Sequence, residues 1–184
     1  MSNVRSFQGK HPQIAADAWI DASAIVIGNT KVGPRSSIWP LCVIRGDVHH
    51  IEIGACTNIQ DGTILHVSHD SRFLPRGAPV IIHDRATVGH QAVLHGCEIG
   101  DQCLIGIGAR VLDRAVLEPP TMVGAGSLVP PGKKLEGGYL WVGTPVKRVR
   151  SLKDQEIEYL DYVAEHYAKL ADRHRDEAAR ELPS

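Results

Sequence analysis

Bulky aliphatic side chains recur at every sixth position near the start of the chain, at Ile14, Ile20, Val26, Val32, Ile38 and Ile44. After a short slip the series resumes at Ile53, Ile59 and Leu65, breaks over residues 67–79, and restarts at Ile82, Val88 and Leu94. One five-residue step then leads into Ile99, Ile105, Val111, Leu117, Val123, Val129 and Leu135. A second register lies two positions before the first. It reads Ala18, Ala24, Thr30, Ser36, Cys42, Thr57, Thr63, Ala86, Ala92, Cys97, Cys103, Ala109, Ala115, Thr121 and Ser127, with large residues only at the breaks, Ile51 and Val80. A period of six fits neither an α-helix nor an alternating strand. An internal repeat of this length marks a stacked architecture.

The repeat predicts a chain that turns a corner every six residues. One aliphatic side chain fills the inside of each flat face and a small one fits each corner. Three faces close a coil of about 18 residues, and successive coils pair as parallel strands about 4.8 Å apart. Glycine follows the aliphatic residue at Gly33, Gly54, Gly89, Gly100, Gly106 and Gly124, where the expectation is a turn that needs a permissive backbone. The fold class is therefore mainly β, a parallel β-helix over residues 1–149 with a loop at 67–79. Parallel crossovers are normally right-handed, but this six-residue pattern resembles hexapeptide-repeat proteins, which implies a left-handed coil. A β-sandwich would need period-two alternation, which the chain lacks.

Residues 150–184 have a different character. Ser151 is placed to cap a helix, with Asp154 adding a carboxylate to its first turn. Ile157, Leu160, Val163, Ala164, Tyr167, Leu170 and Ala171 then form a helical apolar stripe. The C-terminal α-helix is expected to pack along the prism. From Asp172 the chain turns polar, and the last dozen residues are expected to fray or project.

Composition narrows the function classes. Apolar residues make up 43% of the 184-residue chain but aromatics only 5%, which suits a core of Ile, Val, Leu and Ala in layers. A formal charge of −1 with interspersed signs gives no footprint for nucleic acid or anionic membrane. The sequence has neither a signal pattern nor an apolar run of membrane-spanning length. Its four cysteines form no C-x-x-C pair, so reduced thiols in the cytoplasm are expected. Cys42, Cys97 and Cys103 fall in the small register and Cys56 outside it.

Three of the ten histidines are singled out by position. His66 follows Leu65 and His95 follows Leu94. If the loop bulges out without changing face order, the two occupy the same outward slot one coil apart and can share a metal ion. His90 belongs to the preceding face, around a corner, and is poorly placed to complete that site in its own chain. A three-fold arrangement would bring a neighbour's His90 to the pair, so the expectation is a homotrimer with metal at each boundary. His11, His49, His50, His69, His83, His166 and His174 read as surface residues, with His69 a candidate proton shuttle just past His66.

The words Arg45-Gly46-Asp47, Asn58-Ile59-Gln60-Asp61-Gly62, Leu65-His66, Val88-Gly89-His90, Leu94-His95-Gly96-Cys97 and Gly143-Thr144-Pro145-Val146-Lys147 resemble the gamma-class carbonic anhydrase family. The resemblance implies zinc, with iron or cobalt as alternatives, held by His66, His90 and His95. It implies that Gln60 positions water on the metal and that Arg45, Asp47 and Asp61 form ion pairs across the subunit boundary. Three neutral histidines leave a fourth position where water acquires a pKa near 7 and, as hydroxide, attacks CO2 to give bicarbonate.

Two departures weaken the proton path. The best-known members carry a glutamate where this chain has Val48, and an acidic loop where residues 67–79 offer only Asp70. Low turnover is therefore expected. A metal-dependent thioesterase or other hydrolase would keep the same triad. A hexapeptide acyltransferase would use one histidine as general base without needing three, and a trimer stapled by metal without turnover is the non-catalytic alternative.

Overall fold

The structure, a computed structural model, describes residues 3–181. It is the parallel β-helix that the six-residue repeat predicts, followed by one α-helix. Its first face stacks Ile14, Val32, Ile53, Ile82, Ile99, Leu117 and Leu135. The second stacks Ile20, Ile38, Ile59, Val88, Ile105, Val123 and Trp141. The third stacks Val26, Ile44, Leu65, Leu94, Val111 and Val129. From Val26 and Val32 upward these side chains are buried in one continuous core. The small register lies at the corners, where hydroxyls also tie coils together. Ser36 Oγ donates to the Gly54 carbonyl (2.6 Å), Thr57 Oγ1 to that of His83 (2.8 Å) and Thr63 Oγ1 to that of Gly89 (3.0 Å).

The glycines serve a different purpose from the one expected. Gly33 and Gly106 do not adopt positive φ. A Cβ on Gly33 would lie 2.6 Å from the Gly54 backbone, and one on Gly106 2.5 Å from the Ala125 nitrogen. Glycine is needed there because the next coil stacks too closely for a side chain. The left-handed backbone falls two positions after such glycines, at Arg35, Cys56, Gln91 and Gln102.

The solenoid ends in an antiparallel hairpin of Tyr139–Gly143 and Val146–Ser151, which returns the chain toward the helix. Ser151 is therefore the last residue of a strand, not a helix cap. The helix runs Asp154–Glu181. Its start is closed by Glu156, whose carboxylate accepts from the Lys153 N–H at 2.8 Å. It packs on the second face through Leu160, Val163, Ala164, Ala168 and Ala171, while Ile157 is exposed. Arg85–Asp161 and Arg35–Glu165 ion pairs flank the stripe.

The helix does not end or splay at Asp172. His174 packs 5.2 Å from the rings of both Trp19 and Trp39, and Arg175 donates to the Asp17 carbonyl at 3.0 Å. Those contacts hold His174 and Arg175 against the first two coils. Residues 182–184 lie outside the described residues. Residues 67–79 do form a loop, drawn together by Ser68 and Ala78 and by Ser71 and Leu74, with Phe73 81% exposed at its tip.

Candidate metal centre

Leu65 and Leu94 pair across adjacent coils of the third face, and the ladder carries on to His66 opposite His95. Both leucines are fully buried, so a one-residue slip would drive two aliphatics into water and is strongly disfavoured. Burial of the leucines thus fixes the histidines in one outward column. His66 Nδ1 lies 3.0 Å from His95 Nε2.

Each ring turns its other nitrogen to a carboxylate. His66 Nε2 is 3.2 Å from Asp47 Oδ1, and His95 Nδ1 is 2.9 Å from Asp113 Oδ1. An ionised carboxylate only accepts, so both rings donate outward and turn lone pairs toward each other. Two lone pairs at that distance repel unless a cation sits between them. Two zinc–nitrogen bonds at a tetrahedral angle span about 3.3 Å, so the pair fits a metal ion with a shift of tenths of an ångström. A carboxylate on the far nitrogen is the usual partner of a metal-binding histidine.

Burial pulls the His66 pKa below the ordinary value, with the Arg45 charge acting the same way and Asp47 opposing. The neutral, lone-pair form is thereby favoured. Burial pushes the Asp47 carboxyl up, but hydrogen bonds from Arg45 and His66 outweigh it and hold it below the usual range.

His90 stands around the corner on the turn after the second face. Its Nδ1 donates to Asp61 Oδ2 at 2.8 Å, leaving Nε2 as a donor for a metal. Among the described residues, no group of three or more His, Cys, Asp or Glu is placed to hold a metal within one chain. The structure brings His66 and His95 together and keeps His90 apart. Gln60 goes with His90. Both line a cleft of about 400 Å³ with Ile107, Met122, Tyr159 and Tyr167. Gln60 is 5% exposed. Its Nε2 donates to Asn58 Oδ1 at 3.0 Å, and Asn58 Nδ2 donates to Thr87 Oγ1 at 2.9 Å. Asn58 Nδ2 also donates to the Ala86 carbonyl at 3.5 Å, an acceptor only, so the chain fixes which end of the amide is committed and leaves Gln60 Oε1 for another donor.

Within the chain, Arg45 pairs with Asp47 and Asp61 with His90. His69 is exposed on the loop and shares no hydrogen bond with His66 or His95 among the described residues. His49 and His50 are not independent surface groups. Their Nδ1 atoms lie 3.0 Å apart and His49 Nε2 donates to the Arg76 carbonyl at 3.2 Å. Asp113 escaped the sequence reading. Its spacing of 18 residues from His95, one more than the 17 that separate Leu94 from its partner Val111, puts it on the next coil beside the ring, and that is the signal that could have found it.

A family model described as bacterial transferase hexapeptide (six repeats) matches residues 11–46. Protein YrdA of Escherichia coli (strain K12) is 48% identical over the whole of both chains. Gamma carbonic anhydrase 2, mitochondrial, of Arabidopsis thaliana is 43% identical over 93% of this chain and 61% of its own. The chain belongs to the hexapeptide-repeat family that includes the gamma carbonic anhydrases. The left-handed coil that the resemblance implied goes with that membership. A solved structure described as a putative acetyltransferase from Bacillus cereus superposes with a TM-score of 0.88. It is 35% identical and covers 94% of this chain and 96% of its own. The fold is thus shared by proteins named for different chemistries, and the histidine geometry has to discriminate between them.

Proposed function

We propose that this protein is a carbonic anhydrase-like enzyme that hydrates CO2 reversibly at metal sites shared between the subunits of a homotrimer. The supporting observation is the His66–His95 pair, whose lone pairs face each other while His90, with its own carboxylate, is held elsewhere. An acyltransferase using one histidine as base has no need of that arrangement. Zinc suits three imidazoles best, with iron or cobalt as substitutes. When bound, it supplies a Lewis acid that brings the pKa of water near 7.

The chain's own residues then divide the work. His66 and His95 come from one subunit, and His90 from the next. Gln60 arrives with His90 and orients water through its uncommitted Oε1. Arg45, Asp47 and Asp61 stand beside the histidines at the same boundary and serve to register one subunit against another. Val48, 46% exposed, offers no carboxylate for proton export, which leaves His69 and buffer. Four unpaired cysteines favour the cytoplasm as the compartment.

One observation favours a second reading, a metal-dependent hydrolase of thioesters. The cleft beside His90 is apolar and, at about 400 Å³, of the size that holds an organic ligand, far larger than CO2 requires. The test is a CO2 hydration assay beside a thioesterase assay on zinc-loaded protein. Hydration dependent on His95 supports the first reading, and thioester cleavage without hydration replaces it.

A further inference from the structure

We infer that Asp113 is a positioning residue that fixes the tautomer of His95 and couples it to the 67–79 loop. The inference rests on the metal-centre reading above but concerns a residue outside the expected ligand set.

Asp113 Oδ1 accepts two hydrogen bonds, from His95 Nδ1 at 2.9 Å and from Ser68 Oγ at 3.0 Å. The first places the His95 proton on Nδ1 and exposes Nε2, the nitrogen that faces His66. The second ties the same carboxylate to the outgoing leg of the loop. The neighbouring Arg114 donates from Nη2 to the Pro75 carbonyl at 2.6 Å, tying the returning leg to the same coil. Two consecutive residues therefore hold both legs of the loop that follows His66, and one of them also orients His95.

The backbone at Gly96 is shaped around this contact. Gly96 has φ +57, and a Cβ there would sit 2.1 Å from Asp113 Oδ1. It is also the site of the one five-residue step in the repeat, where Leu94 is followed by Ile99. The step brings a backbone without a side chain against the carboxylate, which leaves room for Asp113 to reach the ring. A packing role alone does not require a carboxylate oxygen on Nδ1. Losing such a partner typically weakens metal binding about 10–100-fold.

The experiment compares Asp113→Ala and Asp113→Asn with wild type by two readouts. Zinc affinity is measured by competition with a chromophoric chelator. The His95 tautomer is read from long-range nitrogen–proton correlations of metal-free, histidine-labelled protein. Wild type is expected to show the Nδ1–H form. Asp113→Ala is expected to move His95 toward Nε2–H and to lose about 10–100-fold in zinc affinity. Asp113→Asn, which keeps an accepting oxygen, is expected to retain the Nδ1–H form and recover most of the affinity. An unchanged tautomer with affinity within twofold of wild type in Asp113→Ala would overturn the inference. Absence of zinc binding in wild type would overturn the metal-centre reading instead, and the tautomer would still decide whether Asp113 positions His95.

Discussion

His66 and His95 stand opposite each other on adjacent coils, with Nδ1 of one 3.0 Å from Nε2 of the other and a carboxylate behind each ring. Nothing in that column is set by the histidines themselves. The register comes from Leu65 on Leu94 beneath them.

Leu65→Ala should therefore cost both stability and metal. Truncating a fully buried leucine in a close-packed core typically costs about 2–5 kcal/mol. Denaturant unfolding should show a loss of that size, with zinc affinity reduced in the fraction that remains folded. A well-folded variant with wild-type stability would mean that the solenoid core relaxes around the cavity.

Thiol chemistry reads the corner register directly. Burial pushes the Cys42 thiol up to about 11 and Cys103 to about 12, and raises Cys97 as well. The thiolate is the reactive form. Native protein at pH 8 should therefore be labelled at the half-buried Cys56 and spared at the other three positions until unfolded. Rapid labelling of Cys97 or Cys103 would contradict their place at the corners.

The stacking logic was legible in the sequence because each six-residue step contributes one inward aliphatic and one small corner residue. The break at 67–79 and the pairing of His66 with His95 followed from counting coils. What stayed hidden depends on contacts between coils that a single period does not encode. Gly33 and Gly106 are required by the backbone of the next coil rather than by their own φ. Asp113 lies one position past the slot opposite His95, yet its carboxylate accepts from the ring. His174 and Arg175 look like a polar tail in sequence, yet they dock on Trp19, Trp39 and Asp17.

Acid should loosen the start of the C-terminal helix. A hydrogen bond from Arg150, then one from the Lys153 backbone, hold the Glu156 carboxyl at about 2 against an ordinary 4.5. A carboxyl lowered by folding adds stability above its unfolded pKa and loses it as pH falls through the folded value. Wild type should thus lose stability more steeply than Glu156→Gln between pH 4.5 and about 2. Once protonated, Glu156 carries no more charge than the glutamine, so the two curves should converge at the acid end, and the difference above it is small because the pair is exposed. Parallel curves throughout that window would show that Glu156 is not held in this way.

Proton export is a separate matter from metal binding. Val48→Glu should raise CO2 hydration while leaving zinc content unchanged, and imidazole buffer should accelerate wild type more than the variant. Fast, buffer-insensitive wild-type turnover would reveal a proton route outside His69 and solvent.

The central claim is that His90 completes the His66–His95 pair of a neighbouring subunit, and mixed trimers test it most directly. A His90→Ala subunit keeps an intact pair, and a His95→Ala subunit keeps an intact His90. Neither should hold zinc in a trimer of its own kind. A trimer containing both kinds, in either ratio, has one boundary where an intact pair meets an intact His90. Zinc analysis of purified mixed trimers should find one metal ion per trimer and none in the two homogeneous controls. Full zinc loading of homogeneous His90→Ala protein, or no recovery in the mixed trimers, would contradict a site shared between subunits.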